Sequence, residues 1–352
     1  MSTIAVTDAR PLFTKKLVAV YRQLITPTDF LRSFFRVVET PTKEVSIEVQ
    51  RGFEKVAVDV TRGTEGNRNS FSKSTEKIFV PPVYREYFDI TQLTLYDRLF
   101  GSTEIDGAIL GALIQDAAAK LKMLQDKIER ALEIQCSQVF QTGIVTFSQQ
   151  TNVDFKRKSA SLVDLGGGNY WDGGSVDPVT SLQTACNWLR TVGKATGGTF
   201  DAILGDTALL TLLNNTNVQN RAKLFSYALD QITTPQRLAA GQSFHGEISV
   251  GSYRVRLWTY PQFYDDPTTG VSTPYIDPKK VILIPENPNF MLAFGAVPQL
   301  VDINGGVMPV AGAYVTGEYI DQRATAHILD IKSAPIAVPV AVDQIYTMKV
   351  LA

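Results

Sequence analysis

Residues 101–141 read GSTEIDGAILGALIQDAAAKLKMLQDKIERALEIQCSQVFQ, and the reading of this stretch decides the fold. Apolar residues recur at Ile105, Ile109, Ala112, Leu113, Ala117, Leu121, Leu124, Ile128, Leu132 and Val139. Their spacing of three or four places them on one helical face. Asp116, Lys120, Lys122, Asp126, Lys127, Glu129 and Glu133 fill the opposite side. Thr103, with Asp106 three residues on, reads as a capped start, and Gly143 as the stop. No proline interrupts. Roughly 36 residues at ~1.5 Å each make a rod about 50 Å long. That is far beyond the mean helix of about 11–12 residues. Such a helix is either the core helix of a large domain or a spine that carries other elements across a broad, thin subunit.

The rest of the composition sets bounds. A chain of 352 residues suggests about two domains and can bury a sizeable core. Apolar residues make up 44%, as in globular proteins. The net charge is −1, so no global basic field draws in nucleic acid. Cys136 and Cys186 lie inside apolar helical patterns and far apart, which predicts buried thiols and a reducing compartment. No apolar run reaches the ~20 residues that cross a bilayer. Asp8 and Arg10 precede any apolar block, unlike a secretory signal. The expectation is a soluble protein made in the cytosol.

Upstream of the spine, residues 1–25 carry a weak amphipathic pattern. Leu12, Phe13, Leu17, Val20, Tyr21 and Leu24 lie on one side, with Lys15, Lys16 and Arg22 opposite. Thr28 or Asp29 then caps a short helix presenting Phe30, Leu31, Phe34 and Phe35. Four large apolar side chains in six residues belong in this subunit's core or against a neighbour. Core is the favoured reading; on the other, Phe30, Phe34 and Phe35 are candidate intersubunit contacts. Val45, Ile47 and Val49, then Val56, Val58 and Val60, alternate with polar residues as strands do. Residues 61–75 hold almost nothing apolar and read as an exposed tip. The chain returns through Ile78-Phe79-Val80, Pro81-Pro82, Tyr84, Tyr87, Phe88 and Ile90. This predicts a two-stranded arm reaching about 50 Å from the body. Isolated ribbons are marginal in water, so the arm should lie on another copy of the same chain.

Downstream, residues 144–175 lack clear periodicity. Lys156-Arg157-Lys158 reads as a solvated basic loop, and Gly166-Gly167-Gly168 and Gly173-Gly174 as a flexible connection. No phosphate-loop lysine follows those glycines. Asp177-Pro178 opens a helix with Leu182, Ala185, Cys186 and Leu189 inward. Strands follow at 200–204, 248–250, 253–259 and 280–285, with another helix from Asp206 to about Asn215. Asp265-Asp266-Pro267-Thr268-Thr269-Gly270 reads as a turn between strands. The end, 319–331 and 345–351, reads as strands that pair with the arm strands beside the spine.

Catalytic signatures are missing. His245 and His327 sit in no metal-ligand or Cys–His pattern, and no nucleophile elbow, His-Glu-x-x-His or dinucleotide fingerprint occurs. The expectation is no catalytic residue, no metal and no cofactor. An enzyme without a recognisable motif is one rival reading.

Four stretches carry a resemblance. Phe30-Leu31-Arg32-Ser33-Phe34-Phe35 resembles the F-L-R-x-F-F block of the lambda-like major capsid proteins of tailed bacteriophages. Residues 58–77 resemble the family's extended loop, and 281–297 its segment before the final strands. Ile331-Lys332-Ser333-Ala334-Pro335, then Pro339, Asp343 and Val350-Leu351-Ala352, resemble its terminus. The resemblance implies an α+β fold of the Hong Kong 97 type. It divides the chain into an N-terminal arm at 1–42, an extended β-arm (E-loop) at 43–92, and a peripheral domain with spine helix and flexible connection at 93–175. An α/β axial domain follows at 176–318, and closing peripheral strands at 319–352. It implies a shell of pentamers and hexamers enclosing double-stranded DNA without sequence-specific binding. The implied partners are scaffolding, portal and decoration proteins, with no membrane. Lys73 and Lys77 lie in the loop that some members cross-link, but neither the matching asparagine nor the glutamate is found, so no cross-link is expected. The arm-tip residues Arg62, Arg68 and Lys73 are further candidate intersubunit contacts. The rival of the same fold is an encapsulin-like nanocompartment shell; a tail component is a more distant one.

Overall fold

The computed structural model describes residues 27–49, 75–91, 107–173, 176–224, 231–238, 240–300, 307–321 and 326–352. The spine is present as α1, Gly107–Gln141, a single helix of 35 residues. Its Thr103–Asp106 start lies outside the described residues. Its end is set by Gly143, whose φ of +74° suits glycine and whose N–H reaches the carbonyls of Gln138 and Val139. From Ala131 to Phe140 no residue of α1 is exposed. The helix therefore ends inside the molecule, and its polar side is enclosed along with its apolar stripe.

What encloses it is a seven-stranded sheet. The order across that sheet is 162–164, 346–349, 280–285, 199–204, 253–259, 243–250 and 231–237. The central pairs, 199–204 with 253–259 and with 280–285, are parallel and antiparallel respectively. Period two sorts their residues. Phe200, Ala202, Leu204, Val255, Leu257, Val281 and Leu283 face one core, with Leu182, Cys186 and Leu189 of α2 (Pro178–Thr191) and Leu209 and Leu212 of α3 (Asp206–Asn214). Ile203, Ile282 and Ile284 face the other core, shared with Leu132, Cys136 and Phe140 of the spine. The sheet is thus layered between two helices on one side and the inner end of α1 on the other. Asp177 caps α2, accepting from the Val179 N–H with Pro178 at the first turn. A fourth helix, α4, spans Thr216–Leu224.

Further out along the spine sits a three-stranded sheet in the order 315–321, 326–333 and 84–91. Its Ile331, with Tyr84 and Phe88, covers Leu124 and Ile128 of α1. A second three-stranded sheet joins 36–39, 291–294 and 335–338. The arm begins as Val45–Val49 paired antiparallel with Thr75–Phe79. Both cysteines are free and buried. No described helix is long and apolar enough to cross a membrane.

Four expectations need correction. The returning strand Tyr84–Thr91 does not continue the arm ribbon: it leaves its partner at Pro81-Pro82 and pairs with Ala326–Ser333. Prolines lack the N–H that a continuous ladder needs, so the break falls there. The closing strand Tyr346–Lys349 does not join the arm strands; it pairs with Lys280–Pro285 in the seven-stranded sheet. The expected flexible connection is partly docked. Leu162–Asp164 forms the edge of that sheet, and Trp171 is buried, donating its Nε1–H to Ser181 at 2.9 Å. Arg157, expected in a solvated loop, is half-buried and forms a clamp described below. The strand expected at 56–60 and the arm tip lie outside the described residues.

Candidate functional site: the arm–spine junction

The F-L-R-x-F-F block meets the spine at one carboxylate. Ser33 N–H reaches back to the Asp29 and Phe30 carbonyls and Phe35 N–H to Arg32, so the block turns through one short 3-10 helix, Arg32–Phe34. The N–H groups at the start of that turn have no partner within it. Glu133, fully buried on α1, supplies one: its carboxylate accepts from Leu31 N–H at 2.7 Å and from Arg32 N–H at 3.3 Å. The Arg32 side chain adds Nε to Glu133 at 3.3 Å and Nη2 to Glu129 at 3.4 Å. Burial works against the Arg32 charge, yet Glu133 and Glu129 outweigh it and raise its pKa. Burial pushes Glu133 the other way from its ordinary range, up to about 7, against the pull of Leu31 N–H and Arg32. Beside them the Tyr260 hydroxyl pairs with the Thr28 hydroxyl.

Aromatic rings lock the same junction. Phe30 lies 5.3 Å from Phe34, 5.9 Å from Trp258 and 5.5 Å from Tyr260, centroid to centroid. Phe35 lies 5.3 Å from Phe140 of the spine and 5.4 Å from Phe290. These separations suit tilted and edge-to-face packing, worth about 0.5–1.5 kcal/mol per pair beyond area burial. The block is a wedge between the spine and the seven-stranded sheet.

A second clamp holds the spine's inner end. The guanidinium of half-buried Arg157 donates to the carbonyls of Phe140 (2.8 Å), Ser161 (3.0 Å) and Ile345 (3.1 Å), and to Thr347 Oγ1 (3.2 Å). It satisfies a carbonyl in the last turn of α1 and places a cation at the negative helix end. Burial lowers its pKa to about 10, still above neutral pH. Along the helix Gln135 bonds Tyr84 and Ala337, and Ser137 and Gln141 both donate to the Tyr275 carbonyl. On the sheet, buried Asp201 accepts from Arg256 Nε (2.7 Å) and Nη2 (2.8 Å) and from Trp258 Nε1 (2.8 Å). Every one of these polar groups joins two elements. His245 is buried, with Nε2 2.7 Å from Thr259 Oγ1. Among the described residues no group of three or more His, Cys, Asp or Glu could hold a metal ion.

Of the candidate contacts, Phe30 and Phe35 are buried in the chain's own core at 4% and 5% exposure. They sit in the core, the reading the sequence favoured, where Glu133 holds the block against the spine of the same chain. Phe34 is half-buried against that core. Arg62, Arg68 and Lys73 lie outside the described residues. Glu133 and Arg157 were missed by pattern reading. For Glu133 a signal existed: Glu133, Cys136 and Phe140 repeat at three and four, an apolar register with a charge in it. Arg157 left no such signal.

The family model of phage major capsid protein E matches residues 13–350. The chain belongs to the phage major capsid protein E family. As a member of that family it has a structural role in the capsid shell, and the fold is of the Hong Kong 97 type. Solved structures share it. A protein assigned as a prophage capsid protein of Escherichia coli CFT073 matches with a TM-score of 0.61 at 16% identity, over 96% of this chain and 99% of its own. A phage-related protein from Bordetella bronchiseptica RB50 matches with a TM-score of 0.50 at 13% identity, over 96% of each chain. No curated protein sequence matches. Phage major capsid protein E members are virion components that assemble into capsid shells, and this chain is one of them.

Proposed function

We propose that the chain assembles with copies of itself, as pentamers and hexamers, into the closed icosahedral head of a tailed bacteriophage around double-stranded DNA. The family match across residues 13–350 is the observation that carries this reading. Assembly takes place in the host bacterial cytoplasm, with scaffolding, portal and decoration proteins as further partners. The role is structural, without turnover of a substrate. A net charge of −1 suits a shell that holds DNA without sequence-specific contacts and lets it slide. Residues 176–318 form the axial part facing the five- and six-fold centres, and the spine with its outer three-stranded sheet forms the peripheral part. The axial sheet also takes in strands 162–164 and 346–349.

Arg62, Arg68 and Lys73 at the arm tip meet carboxylates of an adjacent copy. Exposed pairs contribute only about 0–1 kcal/mol each. Repetition over the whole shell makes them decisive for register, while cohesion comes from interfaces above about 2,000 Å². Electron microscopy of the purified chain tests the reading. The natural chain is expected to give closed shells, and Arg62→Glu combined with Arg68→Glu few or none. Shells from neither would overturn the function; normal shells from the variant would overturn the arm-tip contact alone.

A further inference from the structure

Strand Tyr84–Thr91 pairs with Ala326–Ser333 over eight residues without a register break, and among the described residues it is the last strand of the outer sheet. Its inner side rests on the spine. Tyr84 and Phe88 cover Leu124 and Ile128, and Glu86 pairs with Lys127 at 2.7 Å. Arg85, Tyr87 and Asp89 alternate with these residues and are exposed on the outer side, Tyr87 at 55%. Arg85 also reaches the neighbouring Asp330 through Nε at 3.0 Å. A sheet edge is a template for another strand, and proteins blunt such edges with lysine, proline or a bulge. The sequence YREYFDIT carries no lysine or proline, and its ladder has no bulge.

We infer that this edge pairs with the same strand of a second copy, antiparallel about a two-fold axis through Tyr87. The inference rests on the shell reading for its setting, since a closed icosahedral shell has two-fold axes between its subunits. Charge selects the register. Centred on Tyr87, the pairing sets Arg85 of each copy opposite Asp89 of the other, on the outer side, with the two Tyr87 rings between them. Centring it on Arg85, Glu86 or Asp89 would set like charges face to face, and centring it on Phe88 would leave Arg85 opposite Thr91. On the inner side Glu86 falls opposite Phe88, over whose ring Lys120 Nζ lies at 5.8 Å. The three-stranded outer sheets of the two copies then run on as one sheet across both spines.

Cysteine trapping in the full chain tests the pairing. Residues directly opposite in an antiparallel pair have Cα atoms about 4.5–5.5 Å apart, within disulfide range. Tyr87→Cys, assembled and mildly oxidised, is expected to run as a dimer of chains on a non-reducing gel, and Val83→Cys as a single chain. Val83 lies four residues from the axis, so its two copies would be about 27 Å apart. The natural Cys136 and Cys186 are buried and do not compete. Shells in which Tyr87→Cys stays unlinked would overturn the inference and leave the shell reading intact. Equal linking of Val83→Cys would overturn it as well, because exposed thiols would then be meeting without a register. A dispersed natural chain would overturn the shell reading; the strand pairing would then stand if Tyr87→Cys still linked and fall if it did not. Should Tyr87→Cys not fold, Asp89→Arg gives a second readout. It sets Arg85 against a like charge and should cost most of the closed shells while the chain stays folded by circular dichroism. An unchanged yield would overturn the pairing.

Discussion

Glu133 carries the most consequential charge in the molecule. A carboxylate held in the core is costly unless its oxygens are used, and here they take the N–H groups of Leu31 and Arg32 and the Arg32 guanidinium. Burial raises its pKa from the ordinary 4.5 to about 7. An acid whose pKa rises on folding stabilises the folded chain most below its unfolded pKa. That contribution fades as pH climbs from about 4.5 to about 7. A shift of this size corresponds to roughly 3 kcal/mol. The melting temperature should therefore fall from pH 5 to pH 8 in the natural chain and fall less in Glu133→Gln, which keeps an acceptor for Leu31. Parallel pH profiles would show that Glu133 does not titrate within the fold. The sequence signal for this role was faint, because Glu133 also groups with the charged residues opposite the apolar stripe. Only the packing of the block and the sheet around α1 encloses that side.

At the scale of elements, the spine, α2, α3 and the strands at 199–204, 253–259 and 280–285 were legible, since each carries an unbroken period bounded by a cap, glycine or proline. Partnerships were less legible. Tyr84–Thr91 and Tyr346–Lys349 read as strands, but their partners lie at least 235 and 63 residues away, and no local pattern selects among distant edges. Arg157 was hidden for the same reason: its four acceptors come from the spine's end, a short loop and the last strand. The join between spine and loop depends on Gly143. Its φ is +74°, and a Cβ there would lie 2.4 Å from Arg157 Cδ. Gly143→Ala should cost about 1–3 kcal/mol, through backbone strain and displacement of the clamp. Denaturant titration checks this, and an unchanged midpoint would show that the helix end is tolerant.

At the scale of the molecule, the subunit is a set of sheets strung along one helix and wedged at one point by the Phe30–Phe35 block. The order of blocks along the sequence was enough to suggest the family, because the arm block, spine, axial strands and terminal strands recur in that order. Which aromatic residues face inward was not, since a cluster of phenylalanines satisfies a core or a neighbour equally well. The central claim is a shell subunit whose arm block is seated on its own spine. Cryo-electron microscopy of particles formed by the purified chain tests it most directly. The account predicts closed shells in which Glu133 of each subunit holds Leu31 and Arg32 of the same chain. Dispersed single chains, open tubes, or shells in which a neighbour's block occupies that seat would contradict it.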